Sequence, residues 1–303
     1  MTSAPHGAGR WFVRKIGVTF VPMNSVQTNY GAMIALQSLN KTAASLAVTQ
    51  KQVSTGYRVA DAVDDGAAYA VAQSVRSTVG ALASANQQLG NVQGLLSTTM
   101  SGLNNISNMM SSMRDVLVKL SDGNVQGNDR TNYSSQYKTM VANIQTFIQD
   151  ASYNGKTLIG DITGSNGTFN RVAVARNESG SSYGIATFGG SALYGSINFT
   201  TTQMAASATI AALITASGSF VNMMNFVGRS LNTVGSSVNY VNNQISYNND
   251  KIDALNVGLG AMVDADLAKE SAKLQALQIR QQLGTQALSL ANQAPQSLLS
   301  LFK

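Results

Sequence analysis

Apolar residues recur in 3-then-4 steps along two long stretches of the chain. One row runs Leu82, Ala85, Leu89, Val92, Leu96, Thr99, Leu103, Ile106, Met110, Met113, Leu117 and Leu120. The other runs Ile210, Leu213, Ser217, Phe220, Met224, Val227, Leu231, Val234, Val238, Val241, Ile245, Asn248, Ile252, Leu255, Leu259 and Met262, with fourteen of the sixteen positions apolar. A 3.5-residue period marks a helix that buries a narrow seam against another helix along its whole length. Two such rows, far apart in sequence, are natural partners for each other. The pattern predicts a mainly α protein: an elongated rod of long antiparallel coiled-coil helices that brings both chain ends to one end.

Shorter patterns fill in the rest. Residues 32–53 carry a helical seam read as Ala32, Leu36, Leu39, Ala43, Leu46, Gln50 and Val53, broken at Ser54-Thr55-Gly56. Asp64 or Asp65 is placed to cap the next helix, which the periodicity carries to about Leu120. Ser121-Asp122-Gly123-Asn124 is a turn, and a third helix from near Asp129 carries Tyr133, Tyr137, Met140, Ile144, Phe147 and Ala151. The short loop makes it antiparallel to its predecessor. Residues 155–202 are rich in Gly, Ser, Asn and Thr, with alternating apolar positions at Val172, Val174, Tyr183 and Ile185. They predict a small β-hairpin region. Helical pattern resumes after Gly260 and runs to about Asn292. The predicted segments are 1–22, 23–57, 58–154, 155–203, 204–259 and 260–303.

Composition sharpens this picture. Only 11% of residues are charged, and Glu178 and Glu270 are the only glutamates. A solvated coiled coil normally lines its flanks with Glu and Lys, so a long helical chain with so few charges is expected to hide surface in an assembly. Gln281–Phe302 contains no charge at all, yet its glutamines and asparagines are too frequent for a membrane span. Leu274, Leu277, Leu288 and Ala291 share one face of that helix; Ile279, Leu283, Leu290 and Ala294 share another. A helix that is apolar on two faces is buried from two sides. The N-terminal helix can cover one, which leaves the other for a neighbouring subunit.

The net charge of +6 includes Arg10, Arg14 and Lys15, and without a basic stripe it gives no case for nucleic-acid binding. The chain has no cysteine, so disulfides and thiolate metal sites are excluded. His6, Trp11, Pro5 and Pro22 all fall in the first 22 residues, whose composition differs from everything after Met23. That segment reads as a leader or upstream extension, with Met23 as the functional start. The carboxylate pairs Asp64-Asp65 and Asp264/Asp266 read as helix-start caps rather than as acid–base chemistry.

Several motifs, in order, resemble bacterial flagellins. Ala35-Leu36-Gln37-Ser38-Leu39-Asn40 is similar to the family's Ala-x-x-x-Leu-Asn. Ser54-Thr55-Gly56-Tyr57-Arg58-Val59 with Asp64-Asp65 is similar to its Ser-Ser-Gly-x-Arg-Ile and Asp-Asp. Asn154-Gly155-Lys156-Thr157-Leu158 resembles its Asn-Gly-x-x-Leu. Asp264-Ala265-Asp266-Leu267-Ala268-Lys269-Glu270 resembles Asp-Ala-Asp-Phe-Ala-x-Glu, and Ala291-Asn292-Gln293-Ala294-Pro295-Gln296 resembles Ala-Asn-Gln-x-Pro-Gln. Gly56, Arg58, Asp64, Asp65, Asp264, Asp266 and Glu270 are the family-motif positions.

The resemblance implies a structural subunit that polymerises into the flagellar filament for swimming. Its terminal helices would be innermost and its central sequence outermost. It also implies export as an unfolded chain through the flagellar secretion channel, an extracellular destination, and as partners further copies of the chain, hook-associated and cap proteins and an export chaperone. No cofactor, metal, nucleic acid or membrane partner is expected. Polymer contacts are assigned to Leu36, Leu39, Leu46, Leu267, Leu274, Leu277, Leu283, Leu288 and Leu290. A patch read by a vertebrate innate receptor maps to Arg114, where the family's Arg-Glu-Leu becomes Arg114-Asp115-Val116. A hook–filament junction protein would share the terminal helices and is the alternative. A filament-borne protease would need His-Glu-x-x-His, and residues 155–202 hold no histidine. The chain is not read as an enzyme.

Overall fold

The computed structural model describes the backbone of residues 28–300 and the side chains of residues 28–293. The expectation of a leader over 1–22 and the polar and Leu-rich close at 294–303 lie outside the described side chains. The elements are α1 (Tyr30–Thr55), α2 (Gly66–Ser121), α3 (Gly127–Asp150), β1 (Ser152–Tyr153), β2 (Lys156–Thr157), β3 (Thr168–Phe169), β4 (Val172–Ala175), β5 (Ser182–Ile185), α4 (Gly190–Ile197), α5 (Thr201–Ala205), α6 (Ser207–Leu213), α7 (Ser219–Val263) and α8 (Leu267–Ser300). The chain divides into two compact units, one made from its two ends up to Gly66 and from Val263 onward, the other Ala67–Met262.

The core of the second unit follows the heptad rows. All twelve seam positions of α2 from Leu82 to Leu120 are buried. This helix is ~84 Å long at 1.5 Å per residue. Phe220, Val227, Val234 and Val241 of α7 join the same cluster as the α2 seam and the α3 residues Tyr137, Ile144 and Ile148. The antiparallel sense of α2 and α7 is fixed by side-chain amides: Asn86 Nδ2 donates to Asn249 Oδ1 at 2.8 Å and Gln93 Nε2 to Asn242 Oδ1 at 2.8 Å. Arg130 holds the α2–α3 turn and the start of the return segment together. It donates to the carbonyls of Leu120 at 2.8 Å, Val125 at 2.9 Å and Met204 at 2.7 Å.

One expectation is corrected here and another refined. The C-terminal row does not form one helix from Ile210: α6 ends at Leu213 and α7 begins at Ser219. Ser217 is exposed in the break. A β-carbon on Gly218 would sit 2.1 Å from the Leu213 carbonyl oxygen, so the chain folds back there through a residue without a side chain. Ile210 is nevertheless buried, which is why its periodicity blended with that of α7. The central region holds the expected small β hairpins and a short helix besides. Gly190–Ile197 is helical, with Leu193 and Ile197 buried. The Ile197 carbonyl accepts a 2.6 Å hydrogen bond from the Tyr137 hydroxyl, whose ring stacks on Phe199.

The β elements are short. Asn154-Gly155 turns β1 into β2, with φ of 49° and 73°. Both values lie in the left-handed region that a tight hairpin turn demands, and Asn-Gly is the dipeptide that supplies it. β3 pairs parallel with β2, and β4 and β5 form a four-residue antiparallel hairpin whose Val172, Val174 and Ile185 face the core.

Candidate functional site

The unit formed by the chain ends is a two-helix pair with a cap. Asn29 starts α1 by accepting the Ala32 N–H on its side chain at 3.0 Å, and its own amide donates to the Ala291 carbonyl at 2.8 Å. Leu39 faces Gly284, and Gly56 faces Ala265. The contacts run in opposite senses along the two helices, so α1 and α8 are antiparallel.

The seam between them mixes small residues with leucines. On α1, Ala32, Ala35, Leu39, Thr42, Leu46, Thr49 and Val53 are buried or half-buried. On α8 the row is Glu270, Leu274, Leu277, Gln281, Gly284, Leu288 and Ala291. Both step 3-then-4. The α1 seam predicted from sequence was rotated: Leu36, Ala43 and Gln50 are exposed, while Ala35, Thr42 and Thr49 take their places. The Thr42 hydroxyl returns to the preceding turn, on the Ser38 carbonyl at 2.9 Å, whereas the buried Thr49 hydroxyl has no hydrogen-bond partner among the described residues. Leu36, displaced from the seam, ends up outside.

The nine leucines assigned to polymer contacts therefore divide. Leu39, Leu46, Leu274 and Leu288 are half-buried and Leu277 is 7% exposed, all on the seam within the subunit. Leu36, Leu267, Leu283 and Leu290 are 48%, 49%, 58% and 70% exposed. Met33, Ile34, Val48 and Ile279 are similarly open. Ile279, Leu283 and Leu290 lie on one stripe of α8, at spacings of four and seven.

The motif positions gather at the other end of the pair. Gly56 closes α1 with φ 74°, its N–H on the Gln52 carbonyl and its carbonyl accepting from Ala265 N–H at 2.9 Å. Arg58 and Val59 N–H both donate to the Val263 carbonyl, and Tyr57 pairs with Asp264 in a β-bridge. Asp266 caps α8, accepting from the Ala268 and Lys269 amides at 3.1 Å, and Glu270 pairs with Lys273. Asp64 does not point to α2. Its carboxylate accepts from the Ala60 and Asp61 amides and from Lys51 Nζ at 2.8 Å. Asp61 completes a clamp, 2.6 Å from Lys51 Nζ, and accepts from the Val63 and Asp64 amides. Asp65 directly precedes Gly66, the first residue of α2. The ammonium of Lys51 holds both carboxyls below their ordinary range, and they in turn raise Lys51. Sequence reading missed Lys51 and Asp61, because their separations of 10 and 13 residues match no helix spacing.

Arg114 and Asp115 are exposed on α2, whereas Val116 is buried. Among the described residues no group of three or more His, Asp or Glu could hold a metal ion, and no helix is long and apolar enough to cross a membrane.

Residues 26–163 match the bacterial flagellin N-terminal helical region, and residues 220–302 match the bacterial flagellin C-terminal helical region. Flagellin FljM of Caulobacter vibrioides is 33% identical over 285 residues, spanning 93% of this chain and 99% of that protein. A flagellin of Brucella melitensis biotype 1 is 33% identical over 294 residues, spanning 93% and 100%. A protein solved as a flagellar hook-associated protein of Vibrio parahaemolyticus has the same fold over 66% of this chain and all of its own, with a TM-score of 0.53 at 15% identity. With both terminal regions matched and full-length relatives at a third identity, this chain belongs to the bacterial flagellins, the structural subunits of the flagellar filament.

Proposed function

We propose that this flagellin polymerises through the outward faces of its terminal helices. Leu36 on α1 and Leu267, Leu283 and Leu290 on α8 are the contact residues, with Met33 and Ile279 beside them. Leu39, Leu46, Leu274, Leu277 and Leu288 act indirectly by holding α1 against α8. The observation that carries this reading is the stripe Ile279, Leu283 and Leu290, each more than half exposed, the last two in the stretch of α8 that carries no charge after Arg280. Apolar side chains in such a row gain from burial by roughly 1.5–3 kcal/mol each, and few charges mean little desolvation loss on assembly. The work done is mechanical, not catalytic.

Export follows the same logic. The chain would travel unfolded through the flagellar channel to the cell exterior, and the absence of cysteine means no disulfide can obstruct it. Before assembly, the α8 stripe is the surface an export chaperone would cover; hook-associated and cap proteins would meet the same terminal helices at the filament's ends. The direct test is polymerisation of the purified protein followed by electron microscopy. Long filaments support the filament subunit; short, non-growing assemblies support the hook–filament junction alternative; monomers at high concentration with α8 intact refute both.

A further inference from the structure

The C-terminal heptad row contains two polar positions, Ser217 and Asn248. Ser217 lies in a helix break and is exposed. Asn248 is different: it sits on the seam between Ile245 and Ile252, within α7, and is wholly buried. Its oxygen and both of its N–H donors have partners. The oxygen accepts from Gln244 Nε2 at 2.9 Å. The nitrogen donates to Asn86 Oδ1 of α2 at 2.8 Å and to the Arg176 carbonyl at 3.1 Å. Arg176 lies just past β4, in the turn of the β4–β5 hairpin.

The rest of the seam does not fix the axial position of α7 on α2. A row with apolar residues at every heptad position superimposes on itself after a shift of seven residues, about 10.5 Å at 1.5 Å per residue. Such a shift leaves apolar side chains facing apolar side chains. It takes Asn248 away from Asn86 and from the Arg176 carbonyl; Gln93, one heptad along from Asn86, can replace the first acceptor in one direction, but the Arg176 acceptor is lost in both. A buried amide without partners is what a helix pair avoids most strongly. The hairpin supplies the reference point because it also packs on α2, where Val172, Ala173 and Val174 line one cavity with Gln88, Val92 and Leu95; on the α7 side Lys251 pairs with Glu178, and Tyr183 stacks on Tyr240 at 4.1 Å and reaches the Ser237 hydroxyl at 3.2 Å.

We propose that Asn248, Asn86 and the Arg176 carbonyl form a register lock, through which the outer hairpin selects one axial alignment of α2 and α7. This goes beyond filament formation and does not depend on it. The chain has no native cysteine, so introduced pairs report the alignment in the full-length protein. Gln93→Cys with Asn242→Cys reports the native register, since those side chains are in contact. Gln93→Cys with Asn249→Cys, or with Gly235→Cys, reports a one-heptad slip in either direction; a side chain at Gly235 meets nothing within 4 Å. With Asn248 present, oxidation links the native pair alone. In an Asn248→Val background the two slipped pairs are expected to cross-link at least tenfold more than in the parent, with the melting temperature held or raised. A native-only cross-link in Asn248→Val, or a lowered melting temperature with the register unchanged, overturns the lock and reduces Asn248 to an ordinary stabilising contact. Should Asn248→Val lose its helical signal, the double variant Asn86→Val, Asn248→Val removes both seam amides together and is read by the same criteria.

Discussion

Truncating Leu283 and Leu290 to alanine separates assembly from folding. Alanine is the best helix former, so helix propensity cannot fall. Each change removes three carbons, worth about 2.4 kcal/mol at full burial. The subunit itself leaves 58% of Leu283 and 70% of Leu290 uncovered. If neighbouring copies cover that remainder, the pair contributes about 3 kcal/mol to each subunit's addition, taking the uncovered share of the same per-carbon figure. That is about a hundredfold in the critical concentration for polymerisation, at 1.4 kcal/mol per tenfold. The assay is sedimentation of polymer across a concentration series, with circular dichroism on the unassembled fraction. Monomer stability should move by less than about 0.5 kcal/mol, as for surface changes generally. A double variant that polymerises at the parent's critical concentration would show that this stripe is not an interface and would refute the reasoning from exposure to contact.

Leu277→Ala should do the reverse, opening the α1–α8 pair by about 2–4 kcal/mol because the residue is buried on the seam; faster amide exchange in both helices is the readout. The Lys51 clamp gives a pH dependence with a definite sign. Asp61 and Asp64 are lowered from 3.8, so their contribution is complete above that value and is lost as pH falls through their folded values. Lys51 is raised from 10.5, so its contribution is complete below 10.5 and is lost as pH climbs through its folded value. Protection of the Ala60–Asp64 amides, corrected for intrinsic exchange, should therefore be flat across neutral pH and fall on the acid side; equal protection at pH 2 and pH 7 would contradict the clamp. Gly190→Ala should cost about 3 kcal/mol or more, since its β-carbon would lie 1.9 Å from the Ile159 carbonyl oxygen. Gly80→Ala, on an open stretch of α2, should raise stability by about 0.5–1 kcal/mol; thermal melts of the two variants give the comparison.

Hydrophobic periodicity was a sound guide wherever a helix has a single apolar face. The α2 row is the clearest case, with every seam position buried. It failed on α1, where two apolar faces share one helix and hydropathy cannot rank them. Leu36 looks more like a core residue than Thr42 does, yet Thr42 lies on the face turned to α8 and Leu36 lies outside it. On α8 the two apolar rows separate cleanly, Leu274–Leu277–Leu288 toward α1 and Ile279–Leu283–Leu290 outward, but hydropathy did not say which row is which, and leucines of both were assigned to polymer contacts. The polar interruptions of the long row illustrate a different limit. Ser217 and Asn248 look alike as blemishes in a pattern, but one marks where the helix stops and the other is satisfied by a hairpin more than seventy residues away. The Lys51 clamp was illegible for a related reason: its partners come together only through the turn after Gly56.

The antiparallel embrace of α1 and α8 also sets an order in time. Asn29 and Ala291 touch although 262 residues of chain separate them, and closing a loop of that size costs about 5 kcal/mol in chain entropy. Ribosomes emit the first helix long before the last exists, so α1 spends nearly the whole of synthesis as a bachelor. A nascent or prematurely terminated product is thus born without a mate for its opening segment, and α1 can bury its inner face only once α8 has been made.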